Sequence, residues 1–426
     1  MARVSNGFVG LLGVMCLSAC AGGSASSRFS GSFASVPSGR MIVSVEDADT
    51  PPHVYDNGQI LLREPGAIDT VTLLDLPLPS AGSGEQLASF VQLLAPTSMQ
   101  GGPSSLSVSR DGTRAMVTSR MGSAPPDGVD VGQLPVSRVI TLLDLTQGRG
   151  RVVEAYALCA QPSAVSFDST GTRGAVIGRG ASELVIVEIR ETGFGTSYRL
   201  RLEQLFGAGC EPTDVAWSPD GDVVCVSMGG AGRVAFFRVL EHPLDRFATE
   251  LIGSVEVGRY PSVVRWTTDG RAVVVADSGW ESEFLSRYIP EGGGALHVVT
   301  SPSDGARVSV GASVELSVAP SSIAIDPRGE MLAAVSRDRR GGAGRLGLYS
   351  IDTGAMSLTL LDTATTGGLA LDVAFDVSGR GVLVAEFESG AIEVFEVVDE
   401  GGRAGLSART MRVETNYGLH ALRVVP

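Results

Sequence analysis

Apolar and polar residues alternate along most of this chain with the two-residue period of a half-buried β-strand. No stretch of ten or more residues carries the 3.6-residue period of an amphipathic helix, which excludes a βα solenoid. The alternation is organised into a phrase that returns roughly every 50 to 60 residues, the mark of stacked units. Its copies are PSSLSVSRDGTRAMVTS (Pro103–Ser119), PSAVSFDSTGTRGAVIG (Pro162–Gly178), PTDVAWSPDGDVVCVSM (Pro212–Met228), PSVVRWTTDGRAVVVAD (Pro261–Asp277), PSSIAIDPRGEMLAAVS (Pro320–Ser336) and LDVAFDVSGRGVLVAEF (Leu371–Phe387). Each predicts a strand, a tight turn ending in Gly and a second strand rich in Val, Ala and Ile.

A third apolar strand follows every hairpin, as in Glu183–Ile189 or Ala391–Val397, and then a less regular fourth, as in Arg151–Leu158 or Ser197–Leu205. Four antiparallel strands per unit make the blade of a β-propeller, so the fold class is all-β. Six units are plain. Near the start, Ser38–Val45 supplies a turn and second strand and Ile68–Leu76 a third, but no good first strand precedes them. The missing strand is at the other end: in HALRVVP (His420–Pro426), Leu422 aligns with Ile323, Val424 with Ile325 and Pro426 with Pro327. The C-terminal strand therefore completes the N-terminal blade and removes the free sheet edges of an open ring. The reading is seven blades, with six and eight as competing counts.

The phrase resembles the P-x-x-[VIL]-[AS]-[FW]-[ST]-P-D-G unit of the YVTN and lactonase-like seven-bladed propellers, PTDVAWSPDG (Pro212–Gly221) being the nearest copy. The resemblance runs from about Ser38 to Pro426 and implies a lactone hydrolase, a surface-layer protein or a propeller of a role the family does not define. The YVTN tetrapeptide itself is replaced by VVVADSG (Val273–Gly279).

The first residues carry a different signal. Arg3, the apolar run Gly7–Met15 and Leu17-Ser18-Ala19-Cys20 are too short to span a bilayer and read as a secretory signal. Leu-Ser-Ala-Cys resembles the bacterial lipobox, which implies lipidation of Cys20 and a membrane anchor. The domain reading is a signal peptide over 1–19, a Gly/Ser-rich tether over 20–37 and the propeller over 38–426. It places the protein in the cell envelope, lipid-anchored, at the outer membrane. A chain that enters the ring at Ser38 from the Gly-turn face would leave the opposite face pointing away from the lipid.

The chain has 33 arginines and no lysine, and its formal net charge of −14 excludes a general nucleic-acid binder. Beyond the signal, cysteine is limited to Cys159, Cys210 and Cys225. A Cys159–Cys210 disulfide is geometrically conceivable, and three buried thiols are the alternative. No metal-ligand spacing, nucleophile elbow, P-loop or dinucleotide fingerprint occurs, and no cofactor is expected.

Candidate chemistry concentrates on the face carrying the long connections Asp47–Gly66, Met121–Ser137, Asp277–Gly294 and Arg337–Gly344. At the ends of the second strands stand Glu46, Arg120, Arg179, Asp277, Arg337 and Glu386, a set of charges that could hold a polar ligand or could simply pair with one another. Trp280, Arg287 and Tyr288 are loop residues of the hot-spot types. Asp338, Arg339 and Arg340 form a charge run, and His297 lies within a third strand. His420 begins the closing strand near the channel and is the general-base candidate by position, while His53 and His242 lie outside the strands. Two functions follow as expectations. One is a membrane-anchored scaffold binding an envelope protein, peptide or glycan through its long-loop face. The other is a lactonase-like hydrolase acting in the central channel.

Overall fold

The computed structural model describes residues 29–30, 37–48, 50, 59–60, 68–78, 89–97, 102–123, 129–130, 133–146, 150–242, 246–279, 293–302, 307–336, 342–399, 401–408 and 411–426. Cys20, His53, Trp280, Arg287, Tyr288 and Arg337 to Arg340 lie outside the described residues. Seven antiparallel sheets of at least four strands form the ring.

Blades 2 to 4 run Leu106–Val108, Arg114–Thr118, Val139–Asp144, Arg151–Ala157; Pro162–Phe167, Arg173–Gly178, Glu183–Arg190, Gly193–Arg201; and Pro212–Trp217, Val223–Met228, Arg233–His242, Arg246–Glu256. Blades 5 to 7 run Pro261–Trp266, Ala272–Asp277, Gly294–Thr300, Val310–Leu316; Pro320–Ile325, Met331–Ser336, Gly344–Asp352, Ser357–Thr366; and Ala370–Phe375, Gly381–Glu386, Ala391–Asp399, Met411–Glu414. Blade 1 is assembled from both ends of the chain, in the order Leu419–Val425, Met41–Glu46, Thr70–Asp75, Phe90–Leu94. The outer strand of blade 3 runs Gly193–Arg201, beginning and ending earlier than Ser197–Leu205, and Glu203–Phe206 forms one helical turn where the strand was expected to continue.

The closing register is the expected one: Leu422 faces Ser44 and Val424 faces Ile42, as Ile323 faces Ala334 and Ile325 faces Leu332 in blade 6. Two side chains secure this seam. Ser38 donates its N–H and Oγ–H to Asp376 Oδ2 in the hairpin turn of blade 7, at 2.8 and 3.0 Å. Arg40 donates to the carbonyls of Leu145 and of Gly112, the latter in the hairpin turn of blade 2. The chain thus enters the propeller at the Gly-turn end, opposite Asp277. Before it, Phe29–Ser30 pairs with Met411–Glu414 at the outer edge of blade 7.

Hairpin turns form where a short polar side chain can replace lost backbone partners. In blade 6 the Gly329 N–H bonds Asp326 O, and Asp326 Oδ1 accepts the Glu330 and Met331 N–H groups, each at 2.7 Å. Gly329 there has φ 77°, a region that costs other residues a Cβ clash. Burial falls from the second and third strands, which are nearly enclosed, to outer strands such as Arg151–Ala157, which face water. Facing blades interlock through side chains such as Phe236 and Trp266, whose rings meet edge to face at 5.7 Å.

Candidate functional site

The described residues at the ends of the second strands are bonded to neighbouring groups. Glu46 is fully buried and accepts hydrogen bonds from the hydroxyls of Ser44 (2.5 Å), Thr70 (2.9 Å) and Thr72 (2.9 Å). Burial outweighs these hydroxyls and pushes its carboxyl up to about 7. Asp277 is buried too, yet the N–H groups of Arg259, Tyr260 and Gly279 and the nearby His297 ring hold it down at about 2. Glu386 lies in blade 7, with Ser389 and Arg412 bonded to Oε2 at 2.7 and 2.9 Å. Burial pushes it up to about 7, and the neighbouring Glu393 carboxylate adds to the rise.

Arg179 donates to Tyr260 Oη at 2.6 Å, and Tyr260 Oη–H donates in turn to Glu211 Oε2 at 3.1 Å, a chain spanning blades 3 to 5. The Arg120 carbonyl accepts the Ser137 N–H across the long connection of blade 2. Over this face Gln59–Ile60 pairs with Val129–Asp130, joining the long connections of blades 1 and 2. His297 Nδ1 shares a hydrogen bond with Ser313 Oγ at 2.7 Å, and its Nε2 lies 3.8 Å from Asp277 Oδ2.

The residues that do converge are deeper and were not singled out by the sequence. Number each inner strand from the residue paired with the last residue of the second strand, so that Pro212, Pro261, Ala370 and Leu419 are position 1. Asp214 and Asp372 occupy position 3 of blades 4 and 7, and Arg265 and Arg423 occupy position 5 of blades 5 and 1, the next blade round in each case. The two pairs are built alike. Asp214 Oδ2 accepts the Val264 N–H and Arg265 Nη1–H, each at 2.9 Å. Asp372 Oδ2 accepts the Leu422 N–H at 2.9 Å and Arg423 Nη1–H at 2.6 Å. The carboxylates are buried, and the arginine side chains keep 21% and 22% of their surface.

Both guanidiniums then reach one place. Arg265 Nη2 donates to Ser104 Oγ at 3.2 Å and Arg423 Nη2 to Pro103 O at 2.9 Å. Blades 5 and 2 are not neighbours, so Arg265 crosses the axis of the ring. Asp372 and Arg423 act electrostatically on Arg265, and burial holds its guanidinium below the usual arginine range. In blade 2, which receives the two arginines, Pro103–Ser105 forms a 3-10 turn where the other blades have strand.

Beside this turn three buried polar atoms lack a hydrogen-bond partner among the described residues: His420 Nε2, Ser105 Oγ and Ser163 Oγ, at position 2 or 3 of blades 1, 2 and 3. An unpaired buried group costs about 1–3 kcal/mol, so three of them on blades 1 to 3 are a feature that folding alone does not favour. Arg265 and Arg423 supply donors and positive charge, and His420 supplies an acceptor. That set can orient a small polar molecule and stabilise charge on its oxygen.

Cys159, Cys210 and Cys225 are free and buried. Burial raises all three thiols, Cys159 to about 12, which keeps them protonated and unreactive. Among the described residues no group of three His, Cys, Asp or Glu side chains is arranged to hold a metal ion.

The class defined by this architecture is the seven-bladed propeller. A family model described as "Lactonase, 7-bladed beta-propeller" matches residues 283–424, about a third of the chain. A search of curated protein sequences finds no match. Among solved structures, a Bacteroides fragilis protein provisionally assigned as a 6-phosphogluconolactonase superposes with a TM-score of 0.63 and 14% identity, over 91% of this chain and 98% of that one. The periplasmic gluconolactonase of Pseudomonas aeruginosa gives 0.61 and 18%, over 91% and 99%. The hydrazine synthase of Kuenenia stuttgartiensis also matches, at 0.52 and 15% over 76% and 90%, so these likenesses establish the fold alone.

Proposed function

We propose that the channel beside the Pro103–Ser105 turn binds a small polyhydroxylated acid or its lactone, and that the protein hydrolyses such lactones. The observation that carries this is the convergence of Arg265 and Arg423, each anchored by its own aspartate, on one turn. The partial lactonase match and the gluconolactonase likeness support the same reading. In the reaction, water adds to the lactone carbonyl carbon and the acyl C–O bond of the ring breaks. The ring oxygen leaves as a hydroxyl carrying a proton, and the product is the hydroxy acid. A guanidinium facing the carbonyl oxygen would stabilise the oxyanion formed on the way.

The test is hydrolysis of glucono-1,5-lactone, followed by alkali uptake at constant pH. Hydrolysis slowed by about 100-fold in Arg265→Gln, with unchanged thermal unfolding, is the expected result. Wild-type protein no faster than buffer on this and other aldonolactones would overturn it.

Export and lipidation at Cys20 belong to the same proposal. A periplasmic relative by fold and the Gly-turn position of Ser38 and Arg40 support a tether that leaves the channel mouth free. Radiolabelled palmitate incorporated by wild type and absent from Cys20→Ala is the expected outcome. A binding module is the second reading, favoured by Ile68, Leu94, Val136 and Tyr417, which expose 51–61% of their surface at the end of the ring opposite the Gly turns.

A further inference from the structure

The closing strand presents His420 where blades 4, 5 and 6 have a hydroxyl bonded to a backbone carbonyl. At position 2 of blades 4 and 6, Thr213 and Ser321 donate to a carbonyl of the next blade, Pro261 O and Ala370 O, each at 2.7 Å. Ser262 in blade 5 donates to Ala276 O of its own second strand at 3.1 Å. In blade 1 the same position is an imidazole, and the carbonyl next door, Pro103 O, is taken by Arg423.

The ring's protonation is fixed by what it touches. His420 Nδ1 lies 3.0 Å from Gly418 O, and a carbonyl only accepts, so Nδ1 carries the hydrogen. Burial holds the ring at about 4, well below its usual range, so at neutral pH it is uncharged and Nε2 presents a bare lone pair. That atom is wholly buried and without a partner. Across the junction the closing strand packs on the Pro103–Ser105 turn, where the equally buried Ser105 Oγ is also unpartnered. A lone-pair acceptor and a hydroxyl on facing elements match a group that both donates and accepts, which is an alcohol.

We propose that the junction of the closing strand with the Pro103–Ser105 turn is a subsite for a hydroxyl group of a neutral or anionic polyol, with His420 Nε2 as acceptor and Ser105 Oγ as the second partner. The inference rests on the channel being a small-molecule site, and it names the hydroxyl, in place of the carboxylate, as what this part of the site reads. Arg265 and Arg423 remain for the acid or lactone oxygens.

The test uses full-length protein labelled with 15N-histidine, whose four imidazoles are few enough to follow one by one, titrated with D-gluconate and with D-sorbitol. The expected result is a saturable movement of the His420 Nε2 signal with both probes, and affinity reduced about tenfold in His420→Asn and in Ser105→Ala. Movement with gluconate alone would assign recognition to the charge and overturn the hydroxyl subsite. A signal unmoved by either probe would mean that an undisplaced water fills the junction and would overturn it equally. Lactone hydrolysis measured on the same samples keeps the two proposals apart. Hydrolysis with a static His420 signal defeats the subsite alone, and a moving signal without hydrolysis defeats the hydrolase reading alone.

Discussion

The junction between blades 4 and 5 and the junction between blades 7 and 1 use the same parts: a position-3 aspartate, a position-5 arginine and a backbone N–H bonded to the same carboxylate oxygen. They differ in what the arginine strand is joined to. Blade 7 leads into Leu419–Val425 as directly as blade 4 leads into Pro261–Trp266. The blade 5 strand then turns by a hairpin into Ala272–Asp277, whereas Leu419–Val425 pairs with Met41–Glu46 from the other end of the sequence. Asp372 makes one contact that Asp214 lacks, accepting Ser322 Oγ–H of blade 6 at 2.7 Å, so three blades meet on one carboxylate. At the seam the ion pair helps hold a strand that no hairpin joins to its own blade, and at the other junction it positions an arginine across the axis.

Deleting Leu419–Pro426 should break that comparison most severely. Blade 1 would lose its inner strand and Asp372 its cation, and we expect no cooperative near-UV dichroism transition on heating; a native-like transition would show that the seam is dispensable. Next in size, Asp372→Ala and Asp214→Ala each leave a largely enclosed guanidinium unpaired, at a cost of about 3–5 kcal/mol, with Asp372→Ala the worse. Urea midpoints of the two variants decide the order, and equal values would mean that the blade 5 hairpin and the Ser322 contact make no difference between the two junctions.

Proton linkage sharpens a second contrast, between Glu46 and Asp277. The Glu46 carboxyl is raised on folding, so its stabilising contribution is complete below about 4.5 and disappears as pH climbs through 7. Glu46→Gln should flatten that part of the stability profile and gain on the order of 2 kcal/mol over wild type at pH 8. Asp277 is depressed on folding, so its contribution is complete above about 4 and is lost as pH falls toward 2. Asp277→Asn should therefore be harmful at pH 7 and nearly neutral at pH 2, measured by urea unfolding at each pH. The smallest effect is expected at Gln161, held at φ 52° where blades 2 and 1 have Gly102 and Gly418 at φ 67° and 78°. Gln161→Gly should change the melting free energy by a gain below about 1 kcal/mol, because relief of the left-handed backbone slightly exceeds the added chain entropy.

Most of the ring was legible in the chain, because turn glycines and alternating apolar residues act locally, and Leu422 and Val424 repeat the spacing of Ile323 and Ile325. The site was less so. Asp214, Arg265, Asp372 and Arg423 stand in the quoted phrases as departures from small or apolar residues, which was the available signal, but nothing local says that they share an axis. PSSLSV reads like any inner strand, although Pro103–Ser105 leaves the sheet. Glu46 and Glu386 looked like rim charges because the side chains that enclose them, Thr70, Thr72 and Arg412, come from strands well separated in sequence.

The split blade has one more consequence. Arg40 N–H bonds Val425 O at 2.8 Å, so the two ends of the ring lie side by side at the place where every other blade has a hairpin turn. The seam is then a matter of where the polypeptide is cut. A short Asp-Gly linker from Pro426 to Ser38, with new termini opened in the hairpin turn of blade 4 beside the exposed Asp222, would yield a circular permutant. Its inner channel would be unchanged, and its point of attachment to anything beyond the ring would move from blade 1 to blade 4.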